Sequence, residues 1–148
     1  MDSTTIHASA VLVGRKAVLI RGASGTGKSM LAWDLIQAAA TGALPFARLV
    51  ADDRAHLEVH GGRLIARPAD RLAGLIEIRG LGIRRLPYEP IATVGFVADL
   101  AAADAGRMPS LQAASVEIAG VRLPRIAVAA GAPALPLVLS FLTAAAGD

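Results

Sequence analysis

The chain has 148 residues, a net charge of +3, 54% hydrophobic residues, 3% aromatics and no Cys. One compact domain fits that length; a TIM barrel, a protein kinase of ordinary size, a disordered chain and any site built on thiols or disulfides are excluded. The positive charge comes from scattered arginines, with Lys16 and Lys28 the two lysines, and with so few aromatics it points to small phosphate ligands rather than to nucleic acid.

Taken in chain order, the N-terminal MDSTTIHAS lacks the basic and apolar regions of a signal peptide, so a cytoplasmic location is expected. Residues 9–13 and 17–20 read as two short strands joined at Gly14 and Arg15. A Gly-rich loop over 22–27 follows. Residues 28–40 have helical spacing, with Leu31, Leu35 and Ile36 on one side. Residues 48–51 form an apolar strand ending in two aspartates. Gly61 and Gly62 between residues 56–60 and 63–67 signal a hairpin. Residues 75–78 read as a strand leading into a Gly-containing loop, and 91–97 are apolar and β-prone. A second hairpin is expected from 115–118 and 121–123 around Ala119 and Gly120, then a strand near 126–128.

Residues 126–147 carry no charge and are long enough to span a bilayer. Gly131, Pro133 and Pro136 interrupt them, so a buried strand, a turn and an apolar helix over about 135–146 are expected, and no membrane contact. Such a helix also suits a subunit interface. One early helix among many strands indicates a mixed α/β domain over residues 1–148, not a regular βαβ alternation.

The strongest motif is Gly22-Ala23-Ser24-Gly25-Thr26-Gly27-Lys28-Ser29, a full match to GxxxxGK[ST] between a strand and a helix. Glycines let backbone N–H groups turn inward around phosphates, and the helix N-terminus adds positive partial charge. Lys28 would reach the β- and γ-phosphates of ATP, and the Ser29 hydroxyl would ligate Mg²⁺.

Downstream, Leu49-Val50-Ala51-Asp52-Asp53 places two acids at the end of an apolar strand. Adjacent residues point different ways, so one can face a metal ion and the other an acceptor hydroxyl. Glu77 and Arg79, in Glu77-Ile78-Arg79-Gly80-Leu81-Gly82-Ile83, fall on one face of a strand. They offer an oxygen ligand for Mg²⁺ beside a cation for phosphate. His56 and His60, i and i+4 on a strand, are ~13 Å apart and cannot share a metal. His7 and Arg107 alone read as surface residues, and Trp33 and Tyr88 as packing.

Together GASGTGKS, LVADD and EIRGLGI resemble the catalytic domain of the HPr kinase/phosphorylase family, over about residues 6–133. The resemblance implies a single P-loop kinase domain of the phosphoenolpyruvate-carboxykinase-like type, with a strand-rich mixed sheet and one early helix after the P-loop. It also implies a short form without the family's N-terminal domain, and a homo-oligomer, a hexamer in the family. The implied activity is ATP- and Mg²⁺-dependent phosphorylation of a serine on an HPr-type phosphocarrier. In the reverse reaction, inorganic phosphate would attack phosphoserine and release pyrophosphate.

Residue by residue, the resemblance implies that Gly22 to Ser29 bind the phosphates and that Lys28 stabilises the transferred group. Ser29 and Glu77, with Asp52 beside them, would hold Mg²⁺. Asp53 would take the acceptor's proton. His7 matches a catalytic histidine and Arg107 an arginine of a later loop. The chain differs from the family pattern at Ala8, where Gly is usual, in a longer segment over 37–46, and at residues 127–132, AVAAGA, where a basic loop is usual. Two rival readings remain: a small-molecule P-loop kinase, and a non-catalytic nucleotide-sensing module.

Overall fold

Lys16–Arg21 (β3) carries a run of four apolar residues, Ala17 to Ile20, every one of them fully buried. Such a run needs cover on both faces of a sheet, and the rest of the chain supplies it. In the computed structural model, which describes residues 3–145 and 147, Ser3–Ile6 (β1) and Ala8–Val13 (β2) precede β3. They are followed by the helix Lys28–Ala40 (α1), then Ala47–Ala51 (β4), Ala55–His60 (β5) and Arg63–Pro68 (β6). A 3-10 turn at Asp70–Leu72 leads to Leu75–Ile78 (β7) and Gly82–Arg85 (β8). The remainder is Ala92–Leu100 (β9), Ser115–Ile118 (β10), Val121–Val128 (β11) and the helix Ala134–Thr143 (α2).

The main sheet runs β1-β5-β6-β9-β3-β2-β4, and β11 also pairs with β9 and carries β10 at its side. Strand β9 is the hub. Its first residues pair antiparallel with β6, its last pair parallel with β11, and its other edge pairs parallel with β3. Strands β3 and β4 both run antiparallel to β2, so they run in the same direction. The carboxyl ends of β3, β4, β9 and β11 therefore meet at one end of the sheet. In open α/β sheets that end is where ligands bind.

Alternation along β3 divides the core. Val18 and Ile20 face a cluster with Leu31 and Leu35 of α1, Phe96, Val128 and Val138 of α2. Ala17 and Leu19 face a second cluster with Val50, Leu57, Leu64 and Val97. Strands β4 and β6 touch although neither neighbours the other in the sheet; the sheet curls so that β5 and β6 close its second face. Phe141 of α2 packs on Phe96 at 4.6 Å between ring centroids.

The expected elements are present, with four differences. Strand β1 pairs with β5 from Ser3 to Ile6, so His7 lies between two strands rather than before the first. Strand β8, exposed along its length, completes a hairpin with β7. Residues 121–128 form one strand, not a hairpin arm and a separate strand. Pro124 lies where the partner changes, the last β11 residue paired with β10 before Arg125 begins pairing with β9, and a missing N–H is tolerated there. Arg79 lies just past the end of β7 rather than on the strand. The expected helix end at Ala146 and the expected domain bounds at 1 and 148 lie outside the described residues. No helix among the described residues is long and apolar enough to cross a membrane.

Candidate phosphate-binding site

The loop between β3 and α1 is shaped by its glycines. A Cβ on Gly22 would lie 2.5 Å from Thr26 Oγ1 and 3.3 Å from Leu100 Cβ, so a side chain there would push the loop off the sheet. Gly27, the residue that caps α1, has φ 100°, a left-handed conformation that L side chains rarely adopt. Within the loop, Thr26 donates from its backbone N–H and its hydroxyl to the Ala23 carbonyl at 3.2 and 2.7 Å.

The α1 N-terminus has no side-chain cap and no acid in its first turn. The first intrahelical bond runs from the Leu31 N–H to the Gly27 carbonyl at 2.9 Å. The N–H groups of Lys28, Ser29 and Met30 precede it without helical partners. They stand at the positive end of the helix dipole, which suits an anion. Lys28 is 8% exposed; its Nζ folds back to donate to the carbonyls of Gly22 at 2.8 Å and Ala23 at 3.2 Å.

Asp52, at the end of β4, is 5% exposed and fully engaged. It accepts from the Ser29 hydroxyl at 2.7 and 2.8 Å, from the Ser9 hydroxyl at 2.7 Å and from the Glu77 backbone N–H at 3.2 Å. A buried carboxylate needs such partners, and three distant segments are fastened by it. A hydroxyl has one proton and two lone pairs. Ser29 gives its proton to Asp52, which leaves its lone pairs for a cation.

Asp53 has φ 68°, a left-handed conformation uncommon outside glycine and tolerated by Asp and Asn. A non-glycine residue held there marks a place where the fold maintains strain, often a functional site. The turn sends the exposed Asp53 away from Asp52 and onto a cavity of about 370 Å³. That cavity is lined by Ser24, Gly25, Thr26, Gly27, Lys28, Ser29, Met30, Trp33, Asp53, Glu77, Ile78 and Arg79.

Of the residues singled out in the sequence, the loop, Asp53, Glu77 and Arg79 thus share one cavity, with Asp52 directly behind Ser29. His7 and Arg107 are exposed and do not line it. His7 precedes Ala8, which pairs with Arg21, so it stands at the same end of the sheet. Arg107 lies in the loop that leaves this end after Leu100.

Trp33 is part of the cavity wall as well as packing against the core. The sequence reading missed the first role, because i+4 from Ser29 on a helix is a neighbouring position but an aromatic there reads equally well as core. Also missed was an ion-pair network beside the loop. Asp99 accepts from Arg21 Nε at 2.7 Å and Nη2 at 2.9 Å and from Arg125 Nε at 2.5 Å. Arg125 also reaches both oxygens of Asp104. Burial alone would raise the Asp99 carboxyl, but the hydrogen bonds and charges of Arg21 and Arg125 outweigh it and hold it below its usual value. The network ties the last residue of β3, immediately before Gly22, to β9 and β11.

The oxygens of Ser29 and Glu77 on the cavity suit Mg²⁺, which keeps several waters and relies on one or two carboxylates plus substrate phosphates. Asp52, expected beside them, is buried behind Ser29 with its oxygens taken by hydrogen bonds and does not line the cavity. No three His, Cys, Asp or Glu residues form a metal cage among the described residues, and a Mg²⁺–phosphate site does not require one.

Comparison with known proteins agrees with this geometry. Residues 1–86 match the family model described as HPr Serine kinase C-terminal domain. The HPr kinase/phosphorylase of Streptococcus thermophilus (strain ATCC BAA-491 / LMD-9) is 40% identical over 83 residues, 55% of this chain and 25% of that protein. That of Clostridium beijerinckii is 39% identical over 80 residues, 54% of this chain and 24% of that protein. The chain spans about a quarter of the length of these curated relatives. The solved structure of the Hpr(Ser) kinase/phosphatase from Coxiella burnetii superposes with a TM-score of 0.73 at 26% identity, covering 94% of this chain and 93% of that one. The curled mixed sheet is that fold, and the chain belongs to the HPr serine kinase C-terminal domain family.

Proposed function

We propose that this domain transfers the γ-phosphoryl group of ATP to a serine of an HPr-type phosphocarrier protein, with Mg²⁺. The observation that carries the reading is the Asp53 carboxylate, held by a left-handed turn on the same cavity as Lys28, Ser29 and Glu77. The names of the relatives, HPr kinase/phosphorylase and Hpr(Ser) kinase/phosphatase, support the choice of acceptor.

In this reading the backbone N–H groups of the loop and of the first turn of α1 hold the β- and γ-phosphates. Lys28 exchanges its loop carbonyls for phosphate oxygens and neutralises charge as it develops on the transferred group. Ser29, whose hydroxyl donates to Asp52, and Glu77 would hold Mg²⁺, whose charge would offset that of the phosphates. Asp53 accepts the proton of the acceptor serine as the new O–P bond forms and the bond to the ADP leaving oxygen breaks. Arg79 faces the phosphates from the opposite wall, and His7 and Arg107 meet the acceptor at the rim. In reverse, an oxygen of inorganic phosphate attacks the phosphorus of phosphoserine, the serine O–P bond breaks as pyrophosphate forms, and Asp53 returns its proton to the departing serine oxygen.

The test is to incubate the protein with ATP, Mg²⁺ and an HPr-type carrier and to look for phosphoserine on the carrier by mass spectrometry. Phosphoserine at one site is expected. Its absence from a preparation that binds ATP would sink the reading. ADP release with small-molecule acceptors instead would make the protein a small-molecule kinase.

A further inference from the structure

A second cavity, of about 470 Å³, opens on the other flank of the same loop. It shares Gly25, Thr26, Gly27 and Met30 with the first, so the backbone that cradles phosphates is a partition between the two. Its other walls are apolar: Leu31 of α1, Leu100 and Val128 at the ends of β9 and β11, and the small residues of the 129–132 turn. Its volume lies within the usual range for small-molecule sites.

One charged side chain faces it, Asp34. Burial pushes the Asp34 carboxyl up, and among the described residues no hydrogen bond or ion pair engages it. A partly desolvated carboxyl without a compensating donor in an otherwise apolar wall is a place for a ligand's N–H group.

A nucleotide has two unlike ends. Its phosphates require donors and positive charge; its base requires flat apolar walls and one or two polar contacts at its edge. The first cavity offers the former and the second the latter. Position along α1 decides which part of the nucleotide Asp34 meets. Six residues separate it from Lys28, about 9 Å along the helix axis. That is beyond the sugar, which hangs directly on the α-phosphate, and within reach of the base.

We propose that the second cavity holds the purine base of the nucleotide whose phosphates lie on the 22–29 loop, with Asp34 accepting a hydrogen bond from the exocyclic amino group of adenine. The proposal rests on the nucleotide reading above and adds where the base lies and what selects it. The flat ring lies against the floor formed by the outer atoms of Leu31, Leu100 and Val128, which pack on one another beneath it, and the 129–132 turn is small enough to leave room for it. Replacing the amino group by a carbonyl oxygen, as in hypoxanthine, sets two acceptors against each other. ATP is therefore favoured over ITP.

The experiment is calorimetric titration of the full chain, with Mg²⁺, against ATP, ITP and inorganic tripolyphosphate. The wild-type protein should bind ATP about tenfold or more tightly than ITP, the range of a hydrogen bond to a charged group. Asp34→Asn, whose amide can donate to the hypoxanthine oxygen, should bring that ratio to about one while leaving tripolyphosphate binding unchanged. Ala130→Leu, which narrows the cavity, should weaken ATP about tenfold and spare tripolyphosphate. An ATP-to-ITP ratio that Asp34→Asn leaves unaltered overturns the proposal, as does wild-type tripolyphosphate binding as tight as that of ATP. A wild-type protein that binds neither ATP nor tripolyphosphate contradicts the phosphate reading itself and the base site with it.

Discussion

The two cavities beside the 22–29 loop differ in chemistry and in where along the chain their walls come from. The first is lined by Lys28, Ser29, Asp53, Glu77 and Arg79; all lie within residues 1–86, the segment that matches the family model. The second is lined largely by Leu100, Val128 and residues of 129–135, beyond that segment. Reacting groups must have particular pKa values, charges and angles, so few residue types can serve at each position. An apolar wall needs shape and volume, which many side chains supply. The chemical half of the site lies in the segment that matches the family model, and the shape half lies in the part of the chain likened to a relative by fold.

The comparison can be broken most strongly on the polar side. Lys28→Ala removes the ammonium proposed to neutralise the transferred group; phosphoserine formation should fall by about 10²–10³, measured as initial rate. Trp33 is the single tryptophan and lines the polar cavity. Its emission should therefore respond to tripolyphosphate in the wild type and much less in this variant. Ser29→Ala should slow transfer by about tenfold or more and raise the Mg²⁺ concentration needed for half-maximal rate, because Asp52 then has no hydroxyl to orient toward the cation. Equal Mg²⁺ dependence in variant and wild type would contradict that role.

Smaller effects belong to the scaffold between the cavities. Asp99→Ala leaves Arg125, whose side chain is 12% exposed, without its inner partner. Denaturant unfolding should show a loss of about 3 kcal/mol, the scale for removing one partner of a largely buried pair. Because the folded Asp99 carboxyl is held below its usual value, its contribution is present above about pH 4, the unfolded value. It is lost as pH falls through the folded value. Asp99→Asn should flatten that acid limb. Asp34 has the opposite sign. Its folded carboxyl is raised by burial, so its ionisation costs stability as pH rises. Asp34→Asn should give a slightly higher Tm than wild type at pH 7 without ligand.

Local signals made much of this molecule readable in advance. The glycines, Lys28 and the apolar spacing that follows sit within one strand–loop–helix unit, and α1 begins at Lys28 and ends at Ala40 as its spacing predicts. The Gly61–Gly62 turn identified the β5–β6 hairpin. Elements fixed by partners were not readable. Strand β1, Ser-Thr-Thr-Ile, is extended because β5 offers it an edge. Strand β8 is exposed throughout and has no period-2 pattern to betray it. Asp99 meets Arg21 and Arg125 across 78 and 26 residues of chain, a contact no local pattern encodes. The second cavity exists because the ends of β9 and β11 meet beside the loop and α1, which follows from topology rather than from any motif.

The central claim is that Asp53, turned onto the phosphate cavity, is the base for a serine acceptor. Asp53→Asn tests it most directly, since Asn tolerates the same left-handed backbone and keeps the side chain's shape. The measurement is the initial rate of phosphoserine formation on an HPr-type carrier at saturating ATP and Mg²⁺, for variant against wild type. A fall of about 10²–10⁴ with ATP affinity retained is the predicted result; an unchanged rate would contradict the account.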